Sequence, residues 1–104
     1  MRAKMHNCKI WITETRPDVL IGYFRKSLLS VGFNLCNEQY QFFTPFGFTA
    51  LFLLSESHFA IHTFPERGKT YIELTSCVQK QFDAFEEILN GKEFPFGKTE
   101  EDKG

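Results

Sequence analysis

The sequence predicts an α+β fold, a two-layer α/β sandwich whose antiparallel sheet carries two main helices on one face. Three observations lead there. Short runs rich in β-branched and aromatic residues are divided by the turn-forming stretches "TPFG" and "PERGK". Two longer stretches instead carry apolar residues at helical spacing. One helix falls in each half, giving the order β-α-β-β then β-β-α-β, which suits hairpin-linked strands covered by helices.

"CKIWITET" (Cys8–Thr15) reads as the first strand. A helix follows in "RPDVLIGYFRKSLLSVGF". Pro17 suits its first turn, Asp18 suits its positive end, and Val19, Phe24, Leu28 and Val31 share a face. Gly32 is its stop. "FNLCNEQYQFF" (Phe33–Phe43) is the next strand, and Thr44–Gly47 has turn chemistry. "FTALFLLS" (Phe48–Ser55) is almost continuously apolar, as in a strand buried on both faces. His58–Phe64 and Thr70–Cys77 alternate like further strands. Val78–Asn90 places Val78, Phe82, Phe85 and Leu89 on one helical face, and Gly91 ends it. "KEFPFG" is expected as a short edge strand, since Pro95 bars a central one. The charged tail 98–104 is expected to be disordered.

At 104 residues the chain is expected to form one domain with a modest core, so self-association is a reasonable expectation. Thirteen phenylalanines exceed what one small core readily hides, which favours a second buried surface such as a dimer interface or a stacking pocket. Twelve basic against thirteen acidic residues, with no basic stripe, argue against nucleic acid. No apolar run approaches the ~20 residues that span a bilayer. The start, "MRAKMHNCKIW", lacks the long apolar segment of a signal peptide, so the expected location is cytoplasmic. Cys8, Cys36 and Cys77 form no CxxC pair, and neither a metal site nor a disulfide framework is suggested.

The stretch "LLSESHFAIHTFPE" (Leu53–Glu66) holds the chemistry. A serine hydroxyl can attack the carbonyl preceding its own residue when the turn is strained and a proton acceptor is near. At Glu56–Ser57 this gives an ester. Elimination across Ser57 Cα–Cβ then breaks the ester and leaves dehydroalanine, which hydrolyses to a pyruvoyl group. The route needs a donor for the oxyanion and a base for the α-proton. His62 fits the base, and the Thr49 hydroxyl fits the oxyanion. The residues alone leave the plainer reading open, a turn serine and a hydrogen-bonded strand histidine.

This region resembles the processing site of the bacterial S-adenosylmethionine decarboxylase proenzymes, small pyruvoyl enzymes of polyamine synthesis. Glu56, Ser57, His58, Ile61, His62, Thr63, Pro65 and Glu66 match their E-S-H-x-x-I-H-T-W-P-E motif, and Cys77 follows the serine by twenty residues. "FFTPFGFTA" is similar to F-S-P-x-G-V-S/T-G, with Phe43, Pro45, Gly47 and Thr49 in register. The matched block, Phe43 to Cys77, covers about a third of the chain.

The resemblance implies cleavage at Glu56–Ser57 into a β chain, 1–56, and an α chain, 57–104, headed by a pyruvoyl group generated from Ser57. It implies Thr49 at the oxyanion, His62 as the base, and Cys77 as the acid that reprotonates the substrate carbon. Phe43 would stack on the adenine, Phe64 would keep an aromatic wall, and Glu66 would accept hydrogen bonds from the ribose hydroxyls. The substrate would be S-adenosylmethionine, its product the aminopropyl donor for spermidine, and the assembly a homodimer with sites at or near its interface. The pyruvoyl carbonyl supplies an electron sink once joined to the substrate amine. An unperturbed thiol, with a pKa of about 8.5, is mostly protonated at neutral pH and so suits the acid role. Each residue also has a structural alternative: strand end for Cys77, core for Phe43, solvated turn for Glu66. Cys8 and Cys36 are read as structural.

Four positions depart from the family pattern. Phe64 stands for its tryptophan, Ala50 for the glycine after the Ser/Thr, and Val78 for the glycine after the cysteine. Glu14 reaches the acidic position of the first strand only after a one-residue slip, which reverses the face it points to, so it receives no site role. The self-processing set is intact, whereas the departures lie around substrate recognition. Two other readings follow: the same scaffold acting on arginine or ornithine, and an unprocessed homologue that binds a partner subunit. An unrelated small α/β binding domain is the remaining alternative.

Overall fold

The computed structural model describes residues 4–101. Its elements run β1 (His6–Ile12), α1 (Pro17–Ser30), β2 (Leu35–Phe42), β3 (Phe48–Leu54), β4 (Ser57–Phe64), a 3-10 turn (Pro65–Arg67), β5 (Lys69–Ser76), α2 (Gln79–Asn90) and β6 (Lys98–Thr99). The six strands form one antiparallel sheet in the order β2-β3-β4-β5-β1-β6. The α+β two-layer expectation holds.

One face of the sheet supplies the core. Ile12, Phe48, Ala50, Phe52, Leu54, Phe59, Ile61, Ile72 and Leu74 are buried with Leu20, Phe24 and Leu28 of α1 and Phe82, Phe85 and Leu89 of α2. Phe24 lies 5.1 Å from Phe59, ring centre to ring centre, and Phe59 lies 5.7 Å edge-on from Phe85. This is the edge-to-face or tilted packing that aromatic quadrupoles favour. The first helix starts at Pro17 and is stopped by Gly32, whose φ of 102° lies where side chains are disfavoured. Its inward face is Leu20, Phe24, Ser27 and Leu28, so Leu20 rather than Val19 carries the first contact.

Three local expectations are corrected. β3 is buried on one face only: its pattern alternates, leaving Leu51 and Leu53 about half exposed, because both helices cover the same side. The segment 92–97 is a loop rather than an edge strand. Phe94 and Phe96 fold back over Tyr23 and Phe24, and the edge strand is the next pair of residues, Lys98–Thr99, on β1. The expected disordered tail therefore begins with paired residues, and Lys69 Nζ reaches the Glu100 carbonyl at 2.6 Å. Its last positions, 102–104, lie outside the described residues.

The phenylalanine surplus is concentrated. Phe42, Phe43, Phe46 and Phe64 are exposed, and all four lie at the end of β2–β4 remote from the β3–β4 turn. Among the described residues, no helix is long and apolar enough to cross a membrane.

Candidate active site

A two-residue hairpin, Ser55–Glu56, joins β3 to β4, with Leu54 paired to Ser57. Glu56 has φ 60°, and it is the one non-glycine among the described residues with positive φ. That conformation costs a residue with a Cβ on the order of 1–3 kcal/mol, held in place by the paired strands on either side. The strain is therefore stored one residue before Ser57.

Around that turn three side chains converge. Ser57 is buried and its Oγ donates to Ser76 Oγ at 2.7 Å, the two residues facing each other across the β4–β5 pair. Ser76 Oγ also accepts the Val78 N–H at 3.0 Å. Cys77 Sγ donates to the Glu56 carbonyl oxygen at 3.4 Å and lies 3.7 Å from Glu56 Oε2. A donor thus already rests on the carbonyl that Ser57 would attack.

The second group lies at the far end of the same hairpin. Thr49 and His62 are cross-strand partners, with Thr49 Oγ1 3.0 Å from His62 Nδ1. His62 stacks against Tyr71 at 6.1 Å. Burial lowers the His62 pKa from the ordinary histidine value, against the opposing pull of Glu73, so the ring is neutral at neutral pH. A cleft of about 280 Å³ beside this pair is lined by Phe43, Phe46, Thr49, His62, Phe64 and Glu66. The backbone of Phe43 closes on Gly47 at 2.9 Å, which holds Phe43 and Phe46 at the mouth.

These groups do not meet within one chain. Ser57 and His62 are five residues apart on a single strand, about 17 Å at ~3.4 Å per residue. An odd separation also sends their side chains to opposite faces. Ser57 is on the helix-covered face with Phe59 and Ile61, whereas Thr49 and His62 are on the open face with Tyr71.

The remaining positions fall outside both groups. Glu14 accepts Arg16 Nε at 2.9 Å, and Arg16 holds its carboxyl down at about 2. It serves the β1–α1 corner. Cys8 faces the core, where burial and Glu86 push its thiol up to about 11; such a thiol is unreactive. Cys36 is exposed, 3.6 Å from Ser55 Oγ. Among the described residues no three His, Cys, Asp or Glu side chains cluster as for a metal ion. Sequence reasoning missed Ser76. Its signal was a serine in phase with Ile72 and Leu74, on the buried face of the strand.

An α+β domain that stores strain before a buried serine, with a thiol on the strained carbonyl, defines a candidate for rearrangement of its own backbone. The chain belongs to the S-adenosylmethionine decarboxylase family, whose model matches residues 5–98. It is 34% identical over 75 residues to the S-adenosylmethionine decarboxylase proenzyme of Thermosipho melanesiensis, covering 72% of this chain and 57% of that one. It is 40% identical over 60 residues to the proenzyme of Persephonella marina, covering 56% and 45%. The matched segments thus span about half the length of these curated relatives. The crystal structure of the adenosylmethionine decarboxylase from Aquifex aeolicus shares the fold, with a TM-score of 0.61 over 96% of this chain and 95% of that one at 20% identity.

Proposed function

We propose that this chain is a self-processing, pyruvoyl-dependent decarboxylase that acts on S-adenosylmethionine as a homodimer. The observation that carries the reading is the Cys77 thiol on the carbonyl of strained Glu56, directly before Ser57. Attack by Ser57 Oγ on that carbonyl forms a C–O bond, breaks the C–N bond and leaves the proton on nitrogen. Relief of the left-handed turn favours this step. Removal of the Ser57 α-proton then expels the Glu56 carboxylate, leaving 1–56 and a piece beginning at position 57. Ser57 fits as the source of the pyruvoyl group: water adds to the dehydroalanine left by elimination and its nitrogen departs as ammonia, and the carbonyl so formed supplies an electron sink for loss of carbon dioxide. Cys77, within 3.4 Å of the Glu56 carbonyl in the whole chain, fits the acid that returns a proton to the substrate carbon.

His62 and Thr49 take part only if a second copy supplies them. A two-fold axis lying across the strands, between two open sheet faces, turns the second sheet end for end. The Thr49–His62 end of one copy then lies over the Ser57 end of the other. The proton to be removed is on the Ser57 backbone at the sheet's end, not on the hydroxyl held at the helix side. Exposed Leu51, Leu53 and Phe64 on the open face support such packing. In that pairing the cleft of Phe43, Phe64 and Glu66 is the place for the adenine and ribose, next to the partner's pyruvoyl end. Three widely separated free thiols fit a reducing, cytoplasmic location.

Purified protein is expected to release carbon dioxide from carboxyl-labelled S-adenosylmethionine and not from labelled arginine or ornithine. Release from either smaller amino acid instead would overturn the substrate assignment.

A further inference from the structure

Resting on the self-processing reading, we infer that Ser76 is a positioning residue for chain cleavage: its hydroxyl orients the Ser57 hydroxyl for attack on Glu56. Ser76 is fully buried at the end of β5, opposite Ser57 in the register. A serine oxygen offers two lone pairs. Here one receives the Val78 N–H at 3.0 Å and the other the Ser57 O–H at 2.7 Å. The backbone contact fixes Ser76, and Ser76 fixes Ser57.

That arrangement has a chemical consequence. With its proton directed at Ser76, the Ser57 oxygen keeps its own lone pairs free for the Glu56 carbonyl carbon. The carbonyl oxygen itself accepts the Cys77 thiol at 3.4 Å. Nucleophile and electrophile are thus gripped by consecutive residues, Ser76 and Cys77, where β5 ends and the chain turns toward α2. In the shift the Ser57 Oγ–C bond forms, the C–N bond breaks, and the proton leaving Oγ ends on nitrogen. Ser76 is unchanged overall. Loss of alignment at a reacting pair slows a step by about 100-fold for an error near 1 Å.

The test follows the cleavage of wild type, Ser76→Ala, Ser76→Thr and Ser76→Cys by denatured mass over time. Ser76→Ala is expected to slow cleavage by about 10- to 100-fold, and Ser76→Thr, which keeps the hydroxyl, to restore it. Ser76→Cys keeps the volume with a weaker acceptor and is expected to be slow, which preserves the test should the alanine variant not fold. Melting of S57A and S57A/S76A, neither able to be cut, reads the structural cost separately. In a His62→Ala background, hydroxylamine, which cleaves an ester and spares an amide, is expected to cut less of the chain when Ser76 is alanine. A wild type that is cut, with Ser76→Ala cut equally fast, overturns the role of Ser76 and leaves self-processing standing. Equal slowing by alanine and threonine overturns the role of the hydroxyl. A wild type that is never cut removes the underlying reading as well.

Discussion

Ser57→Ala and His62→Ala are each expected to remain whole when made alone, and to yield cut chain when made together. Ser57→Ala lacks the nucleophile, and no other hydroxyl precedes β4 in the same relation to the Glu56 carbonyl. His62→Ala retains the nucleophile and the strained turn but lacks the base for the α-proton. In a mixed dimer, the His62→Ala copy supplies Ser57 while its partner supplies His62, so one of the two composite sites is complete. The cut copy is then the one carrying His62→Ala, which denatured mass distinguishes directly. The effect is all or none for each variant alone. Five residues along one strand put Ser57 and His62 about 17 Å apart, on opposite faces. Recovery in the mixture confirms a site shared between copies. Efficient cutting of His62→Ala alone would remove His62 from the chemistry.

The second large effect is expected at Cys77 and separates the two reactions. Cys77→Ala loses the thiol that rests 3.4 Å from the Glu56 carbonyl, so cleavage slows but proceeds. Once fully cut, this variant is expected to decarboxylate about 10²- to 10⁴-fold more slowly, the usual contribution of a positioned acid. Cys77→Ser keeps a donor on the carbonyl and is expected to restore cutting more than turnover, because a hydroxyl is a far weaker acid than a thiol. Time courses of cleavage, followed by carbon dioxide release from the fully cut proteins, read the two steps apart. Wild-type turnover by cut Cys77→Ala would show that the proton comes from elsewhere.

Much of the fold was legible because its signals are local. Pro17 and Gly32 bound α1, and the spacing of Phe82, Phe85 and Leu89 gives the inward face of α2. The β3 expectation failed for a tertiary reason: an apolar run does not say how many layers cover it, and in one copy Leu51 and Leu53 face outward. β6 was displaced because Phe94 and Phe96 spend their backbone on a loop that reaches α1 rather than on strand pairing. At the candidate site, Ser57 and Cys77 stood out by motif, and the chain brings them to one carbonyl through Glu56. Thr49 and His62 were legible as a pair, since the hairpin register makes them cross-strand neighbours. Their separation from Ser57 was not drawn from the motif, because a motif lists positions without faces. Strand parity supplies that information once the register is fixed.

The most direct measurement is the denatured mass of the purified wild-type protein. Two pieces are expected, Met1–Glu56 and a piece beginning at position 57 whose pyruvoyl end has no free amino group. A single chain of 104 residues that stays whole on long incubation would contradict self-processing.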